Sequence, residues 1–500
     1  MYPFLDPESF KQQTASPDLS RLISTNKGFA ALYYAVVAIG SQHNDGGSFE
    51  AGVGEAWSYF ERALSYFQDL IFFRGSLTTV QALMAIAVFS STMSAFQFEQ
   101  FMLSEAAIMA QGLGYNRSNG PHEVSQRRTF WVLYFMEKVS CFITGKVSVF
   151  QDSNISCAIP DVKESTFVDY DYFFSFLRYA RLVSRIHKNL LTINAIQQPA
   201  LAYNSKVQSL LSELESWRLS IPERFRAGEP FRARLMREPL AQTIALMTHY
   251  LYLNALLTLS WTLLHFSAAK LETRQQLDLK RELMRTSRSV LELTKWIDVS
   301  PSTPVWMLAV LPLSCLMILF DIVVHNPNHP EASLSLALLD IAGGHFSRLE
   351  FASKGTLPCS LIAQFAHLAR QYVFEQRENK NKTKSNKPTD SDPVCGARQP
   401  DAEAEPPSSS STNTLPMADI PITGTSQPID PLPELSRDLL ELDPATASLW
   451  DSSPIGSNDQ LFIPLIDDPS YRIEDFEILG IDLKDLFDYP YPILSGDGGL

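Results

Sequence analysis

Apolar residues recur along the first three quarters of this chain at intervals of three and four, the period of an α-helix. In Glu55-Ala56-Trp57-Ser58-Tyr59-Phe60-Glu61-Arg62-Ala63-Leu64, for example, Trp57, Phe60 and Leu64 fall on one helical face. The same spacing predicts helices over 77–95, 99–113, 124–144, 170–196, 203–219, 276–298 and 358–377. Stop signals punctuate them: Gly112-Leu113-Gly114, Gly145 and Asn326-Pro327-Asn328. Alternating patterns are scarce. Val147-Ser148-Val149-Phe150 is the best of them, and with no sheet to join it reads as a short extended crossing segment. No fixed-length repeat recurs, so a regular solenoid is not indicated. Residues 1–375 therefore read as one large all-α domain.

Two stretches are apolar on every side, Ala245 to Phe266 and Pro304 to Val324. Either is long enough to cross a bilayer. The first carries His249, Asn254 and His265, the second Pro312 and Asp321, and neither has the flanking basic asymmetry of an oriented span. They read as core helices, which a large helical body needs, and no membrane partner is expected.

From about residue 376 the pattern dissolves. A polar, basic run over 377–387 includes Lys380, Lys382, Lys384 and Lys387, a candidate nuclear import cluster. Ten prolines follow between Pro388 and Pro433, with the serine run Ser408–Ser411. Such a composition cannot bury enough apolar surface to offset ordering entropy, so 376–433 reads as a disordered linker. Beyond it, over 434–500, acidic residues alternate with bulky apolar ones.

Charge sharpens this division. Residues 401–500 hold 20 acidic and 3 basic side chains, a net charge of −17, which leaves +3 for residues 1–400 of a chain whose total is −14. A disordered acidic tail repels nucleic acid and membrane phosphates and suits a protein partner with a basic rim. On a helix Phe476, Leu479, Leu483, Leu486 and Phe487 form an apolar stripe among carboxylates. A helix this short folds only on its partner, and the composition is that of an activation segment.

Enzymatic motifs are missing. Thr144-Gly145-Lys146 lacks the upstream glycine of a phosphate loop, and no Gly-x-Ser-x-Gly elbow or zinc-protease histidine pair occurs. His325 and His329 are four apart, but Pro327 and Pro330 interrupt any helix there; His325 sits where a helix C-terminus favours a cation. Asp169 and Asp171 are wrongly spaced for a magnesium–diphosphate site. The five cysteines Cys141, Cys157, Cys315, Cys359 and Cys395 form no Cys-x-x-Cys pair, so neither zinc nor a disulfide framework is indicated. The chain is read as a non-enzyme with no catalytic residues, metal or cofactor. With a body at +3 and no recognisable DNA-binding motif, direct DNA contact is not expected either.

One segment has a recognisable order. Gln126-Arg127-Arg128 leads into the aromatic run Trp131 to Tyr134 and the pair Glu137-Lys138; Gly145-Lys146, Asp152-x-x-Ile155 and Pro160 follow. This resembles the signature of the fungal-specific transcription factor domain, the middle homology region of fungal zinc-cluster regulators. Tyr2-Pro3-Phe4-Leu5-Asp6 is similar to the start of that domain, and Leu103 to Tyr115 to its helix before the signature. The resemblance spans about residues 1–375. It implies an all-α regulatory body that restrains or licenses an activation tail, a nuclear location, transcription machinery or a coactivator as partner, and in some members a metabolite effector. Arg128, Trp131, Tyr134, Glu137, Lys138, Gly145, Asp152, Ile155 and Pro160 are carried over as packing residues, with Gly145 capping its helix at positive φ and Arg128 able to meet Glu137 only through tertiary folding. The resemblance also implies an N-terminal six-cysteine zinc cluster, often with a dimerising coiled coil. The sequence has no such cluster, so zinc and DNA contacts are expected only from a segment preceding Met1 or from a partner that carries the chain to DNA. Homodimerisation is left open. The runner-up reading is a coregulator or scaffold that never meets DNA, and behind it an all-α small-molecule binder or enzyme.

Overall fold

The computed structural model describes residues 1–385, apart from 73–74, 94–95, 118–123, 168, 237, 268–272, 328 and 358, together with 477–478 and 481–482. The chain divides into two units, residues 1–377 with 460–500, and residues 378–459.

The first unit is built of helices. The N-terminal group comprises α1 (Pro7–Thr14), α2 (Leu19–Thr25), α3 (Lys27–Gln42), α4 (Glu55–Leu64), α5 (Phe67–Phe72), α6 (Leu77–Ser90), α7 (Phe96–Gly112) and α8 (Val124–Thr144). After an irregular crossing come α9 (Tyr172–Ile186), α10 (Ile193–Ile196), α11 (Ala200–Leu219), α12 (Pro239–Ser267), α13 (Thr273–Leu293), α14 (Leu311–His325), α15 (Ala332–Ala352) and α16 (Ser360–Ser385). Local chemistry sets the starts: the side chains of Asp6, Asn26, Ser76 and Asp171 each accept a backbone N–H of the first turn that would otherwise lack a partner.

Helices adjacent in sequence pack on one another, α3 against α4 and α6, then α6 on α7, α7 on α8 and α8 on α9. The run continues through α11, α12, α13, α14 and α15. α6 lies at the centre of the first group, with every residue from Thr79 to Ala87 buried, which explains why its sequence shows no polar face. Hydroxyl and indole groups tie successive layers together. Tyr179 of α9 donates to the Leu251 carbonyl of α12 at 2.7 Å, and Trp217 of α11 donates to the Ser175 carbonyl of α9 at 2.9 Å.

The fold class agrees with the helical reading, and α16 runs on to Ser385, past the residue-375 limit drawn from composition. Trp306–His325 is the one helical stretch among the described residues that is by itself long and apolar enough to cross a membrane; 61% of its apolar window is buried inside the body, and that burial accounts for its hydropathy. Residues 147–150 join no strand. The described two-residue ladders are instead Thr166–Phe167 with Tyr170–Asp171, and Glu477–Ile478 with Ile481–Asp482. The first delays the expected helix at 170 until Tyr172, because Asp171 serves as its N-cap. The second places those four tail residues in extended backbone, whereas the helical stripe was read for a partner-bound segment.

Candidate functional site

α8 and the chain that leaves it form the most elaborate polar arrangement in the body. Gly145 ends the helix with φ +68°, a left-handed value that costs a residue with a Cβ, and the Lys146 N–H returns to the Cys141 carbonyl at 2.9 Å. The reversal sends residues 146–160 back over the face they have just left. Trp131, Tyr134, Glu137, Lys138 and Cys141 occupy an arc of about 120° on α8, and each meets this crossing segment, which runs antiparallel to the helix. The Cys141 thiol faces the Val147 carbonyl at 3.8 Å. Glu137 accepts the Ser148 hydroxyl at 2.7 Å and the Val149 N–H at 2.6 Å. Lys138 donates to the Phe150 carbonyl at 2.7 Å and lies 3.7 Å from the Asp152 carboxylate. The Tyr134 hydroxyl donates to Asp152 at 2.8 Å, and the Trp131 indole donates to the Ala158 carbonyl at 3.2 Å.

The lengths match only because the crossing segment is not straight. Ten residues of helix from 141 to 131 rise about 15 Å, whereas eleven extended residues would span about 36 Å. A 3-10 turn at Asp152–Asn154 takes up slack between them. The Phe150 ring is wedged under the segment, edge-on to Phe130 at 5.4 Å and tilted against Tyr134 at 5.7 Å. Beyond the turn, the Asn116 carbonyl accepts the N–H groups of Ser156 and Cys157, Ile155 is half-buried and Pro160 is buried.

Arg128 belongs to a different contact. It donates to the Pro3 carbonyl and to the Glu164 carboxylate, while Thr129 and Gln81 donate to the Phe4 carbonyl at 3.1 Å and 3.2 Å. It does not pair with Glu137: residues nine apart on a helix point to opposite faces. Glu164 as its partner, and Arg181 stacked 5.0 Å from the Trp131 ring, carry no local sequence signal, since both come from elements whose position only tertiary packing fixes.

Electrostatically the arrangement is a set of buried charges held by hydrogen bonds. Glu137 is fully buried and Lys138 only 6% exposed. Burial raises the Glu137 carboxyl above its usual range, opposed by the bonds from Ser148 and Val149 and by the Lys138 charge. Burial, and then the Glu137 charge, push the Cys141 thiol up to about 12. Such a thiol stays protonated at neutral pH and is a poor nucleophile. Among the described residues no group of three or more His, Cys, Asp or Glu side chains could hold a metal ion. The arrangement is a clamp: it fixes a backbone crossing in place.

Comparison with known proteins places this clamp. Residues 1–219, which hold it, match the family model described as the fungal specific transcription factor domain. The ABC-transporter-regulating transcription factor of Aspergillus fumigatus is 26% identical over 391 residues, covering 72% of this chain and 43% of that protein. Its namesake in Aspergillus oryzae is 26% identical over 387 residues, with 70% and 43% covered. The fusaridione A cluster transcription factor of Fusarium heterosporum is 24% identical over 346 residues, 63% of this chain and 64% of that one. This chain thus spans less than half the length of the two Aspergillus relatives. No solved structure matches.

Other candidate residues lie elsewhere. Lys380, Lys382 and Lys384 fall on the last turns of α16; Lys387 lies outside the described residues, as do Phe476, Leu479, Leu483, Leu486 and Phe487. His325 closes α14, its ring 3.1 Å from the Asp321 carboxylate, and the helix stops at Asn326. Within the fungal-specific domain, Gly145 offers a direct test of the reversal. A Cβ there would meet nothing within 4 Å, so Gly145→Ala is expected to cost about 1 kcal/mol from backbone conformation alone. A urea unfolding curve checks this, and a loss above about 3 kcal/mol would show that packing is also disturbed.

Proposed function

We propose that the chain is a transcription regulator whose helical body controls an acidic activation segment over 434–500, and that it acts in the nucleus. The observation that carries this reading is a fungal-specific transcription factor domain in the same chain as a tail of net charge −17. A proline-rich linker separates the two between the end of α16 and residue 433, and the basic run Lys380 to Lys387, which starts on the last turns of α16, serves nuclear import. Acidic residues keep the stripe of Phe476, Leu479, Leu483, Leu486 and Phe487 in water until a coactivator groove accepts it. Contact with DNA comes through a partner or through a part of the protein outside this sequence.

The test is a reporter assay. Residues 401–500 fused to an unrelated DNA-binding domain are expected to raise transcription well above that domain alone. Alanine at all five stripe positions is expected to return it to background while leaving the net charge unchanged. A parent fusion that stays at background sinks the activation reading; a five-alanine variant that activates as well as its parent assigns the effect to charge and not to the stripe.

A further inference from the structure

The clamp leaves one feature of α8 unused. On the side of the helix away from residues 146–160, a cleft opens between α7, α8, the N-terminal segment, α12 and the turn of π-helix at Trp306–Val310. Its floor is apolar and buried: Phe135, Met136, Met247 and Trp306 are all less than a tenth exposed. Tyr2 and Glu99 also line it, each only partly exposed, and the Ser140 hydroxyl bonds the Glu99 carboxyl. Among the described residues no lysine, arginine or histidine lines it.

Each wall is fixed from outside the cleft. The N-terminal segment is held by the bonds of Arg128, Thr129 and Gln81 to the Pro3 and Phe4 carbonyls. The π-helical turn is held by Val305, whose N–H reaches the Ser91 carbonyl at 3.0 Å, and by His345, whose Nε2 lies 2.7 Å from the Leu308 carbonyl. π-Helical turns in otherwise α-helical segments are frequent at functional sites, and they persist only where surroundings sustain them. The cleft is therefore preformed.

We propose that this cleft binds an organic monocation, an alkylammonium head on an apolar body. One carboxylate without a basic partner, facing aromatic rings and thioethers, is the chemistry that recognises such a group: the carboxylate takes the charge and the ring faces its carbon substituents. A metal ion would need several oxygen ligands, and Glu99 supplies the single carboxylate. The size fits the head alone. About 30 Å³ is open, room for two or three heavy atoms, so the ammonium head enters to reach Glu99 and the apolar body stays outside the cleft.

The titration of the lining groups agrees with a cation site. Burial pushes the Glu99 carboxyl up to about 8, and the Ser140 hydroxyl opposes this only in part. The nearby Tyr2 hydroxyl is raised by its own burial and by the Glu99 charge. Glu99 and Tyr2 are the titratable side chains that line the cleft. Without a cation, then, Glu99 holds a proton at neutral pH, and an arriving ammonium takes that proton's place.

The experiment is calorimetric titration of the full chain at pH 8.5 with n-hexylammonium chloride, and in parallel with 1-hexanol as its neutral counterpart. The proposal expects the ammonium to bind about tenfold or more tightly than the alcohol, and Glu99→Gln to remove that preference while hexanol binds as before. Equal binding of the two by the parent overturns it, because apolar contact then explains everything. So does a Glu99→Gln variant, folded by circular dichroism, that keeps the preference. If that variant does not fold, the comparison of the two ligands on the parent decides alone.

Discussion

Trp131→Ala is expected to cost the body about 3–5 kcal/mol, the range for removing a large buried aromatic side chain. The ring is wholly buried. It meets Phe130 and Tyr134 edge-on at 5.5 Å and 5.4 Å, with the Arg181 guanidinium over its face. Truncation therefore opens a cavity among side chains that are themselves fixed, and it removes a contact from two exposed polar partners. The Ala158 carbonyl loses its donor, and Arg181 loses the ring it stacks on. Trp131→Phe separates these terms. It keeps most of the apolar volume and loses the indole donor, so about 1–2 kcal/mol is expected. The midpoint of urea unfolding followed by circular dichroism reads both. A Trp131→Ala cost below about 1 kcal/mol would mean that neighbours collapse into the space, and that the crossing segment is not held at this end.

Much of this body was legible in the sequence, because helical periodicity is local. Trp57, Phe60 and Leu64 announce α4, and Gly145 announces both the end of α8 and its positive φ. The order of signature residues from Arg128 to Pro160 marked the segment that matters. What those residues touch was not legible. Glu137 and Lys138 look like an adjacent surface pair, yet both are buried and each binds backbone on the crossing segment. Arg128 and Glu137 invite pairing by charge, yet the helix turns them to opposite faces. Glu99 was read as part of an ordinary helix at 99–113, since nothing local reveals that α12 and the π-helical turn close over it. Sequence patterns report one element at a time. These contacts depend on where a second segment lies, a dozen residues on for Glu137 and Lys138 and 125 residues back for Arg128, and packing sets that position.

Lys138→Met carries the second large expected effect, and it bears on motion as well as stability. Methionine keeps much of the lysine stem and removes the ammonium. The Phe150 carbonyl then keeps only the longer 3.3 Å contact from the Ser148 hydroxyl, which it shares with Glu137, and Asp152 keeps only the Tyr134 hydroxyl. Removing one partner from a buried, charged hydrogen-bond set costs about 3 kcal/mol, mostly as desolvated groups left unmet. Part of that cost falls on the crossing segment and not on the whole body, because the lost bonds are the ones that hold residues 150–152 to α8. Local opening of 146–156 should therefore become more frequent by up to about a hundredfold. Lys146 is exposed at the reversal, so native-state trypsin digestion gives the readout: cutting after Lys146 accelerates in the variant by more than cutting elsewhere does. Asp152→Asn alone is expected to do less, since it leaves the Lys138–Phe150 bond in place. A variant that loses global stability but shows unchanged relative cutting at Lys146 would make Lys138 a packing residue and refute the clamp. Preferential cutting there would show that the charged pair at the heart of the signature exists to hold a backbone crossing, which is why its residues fall in one helix and one short segment after it.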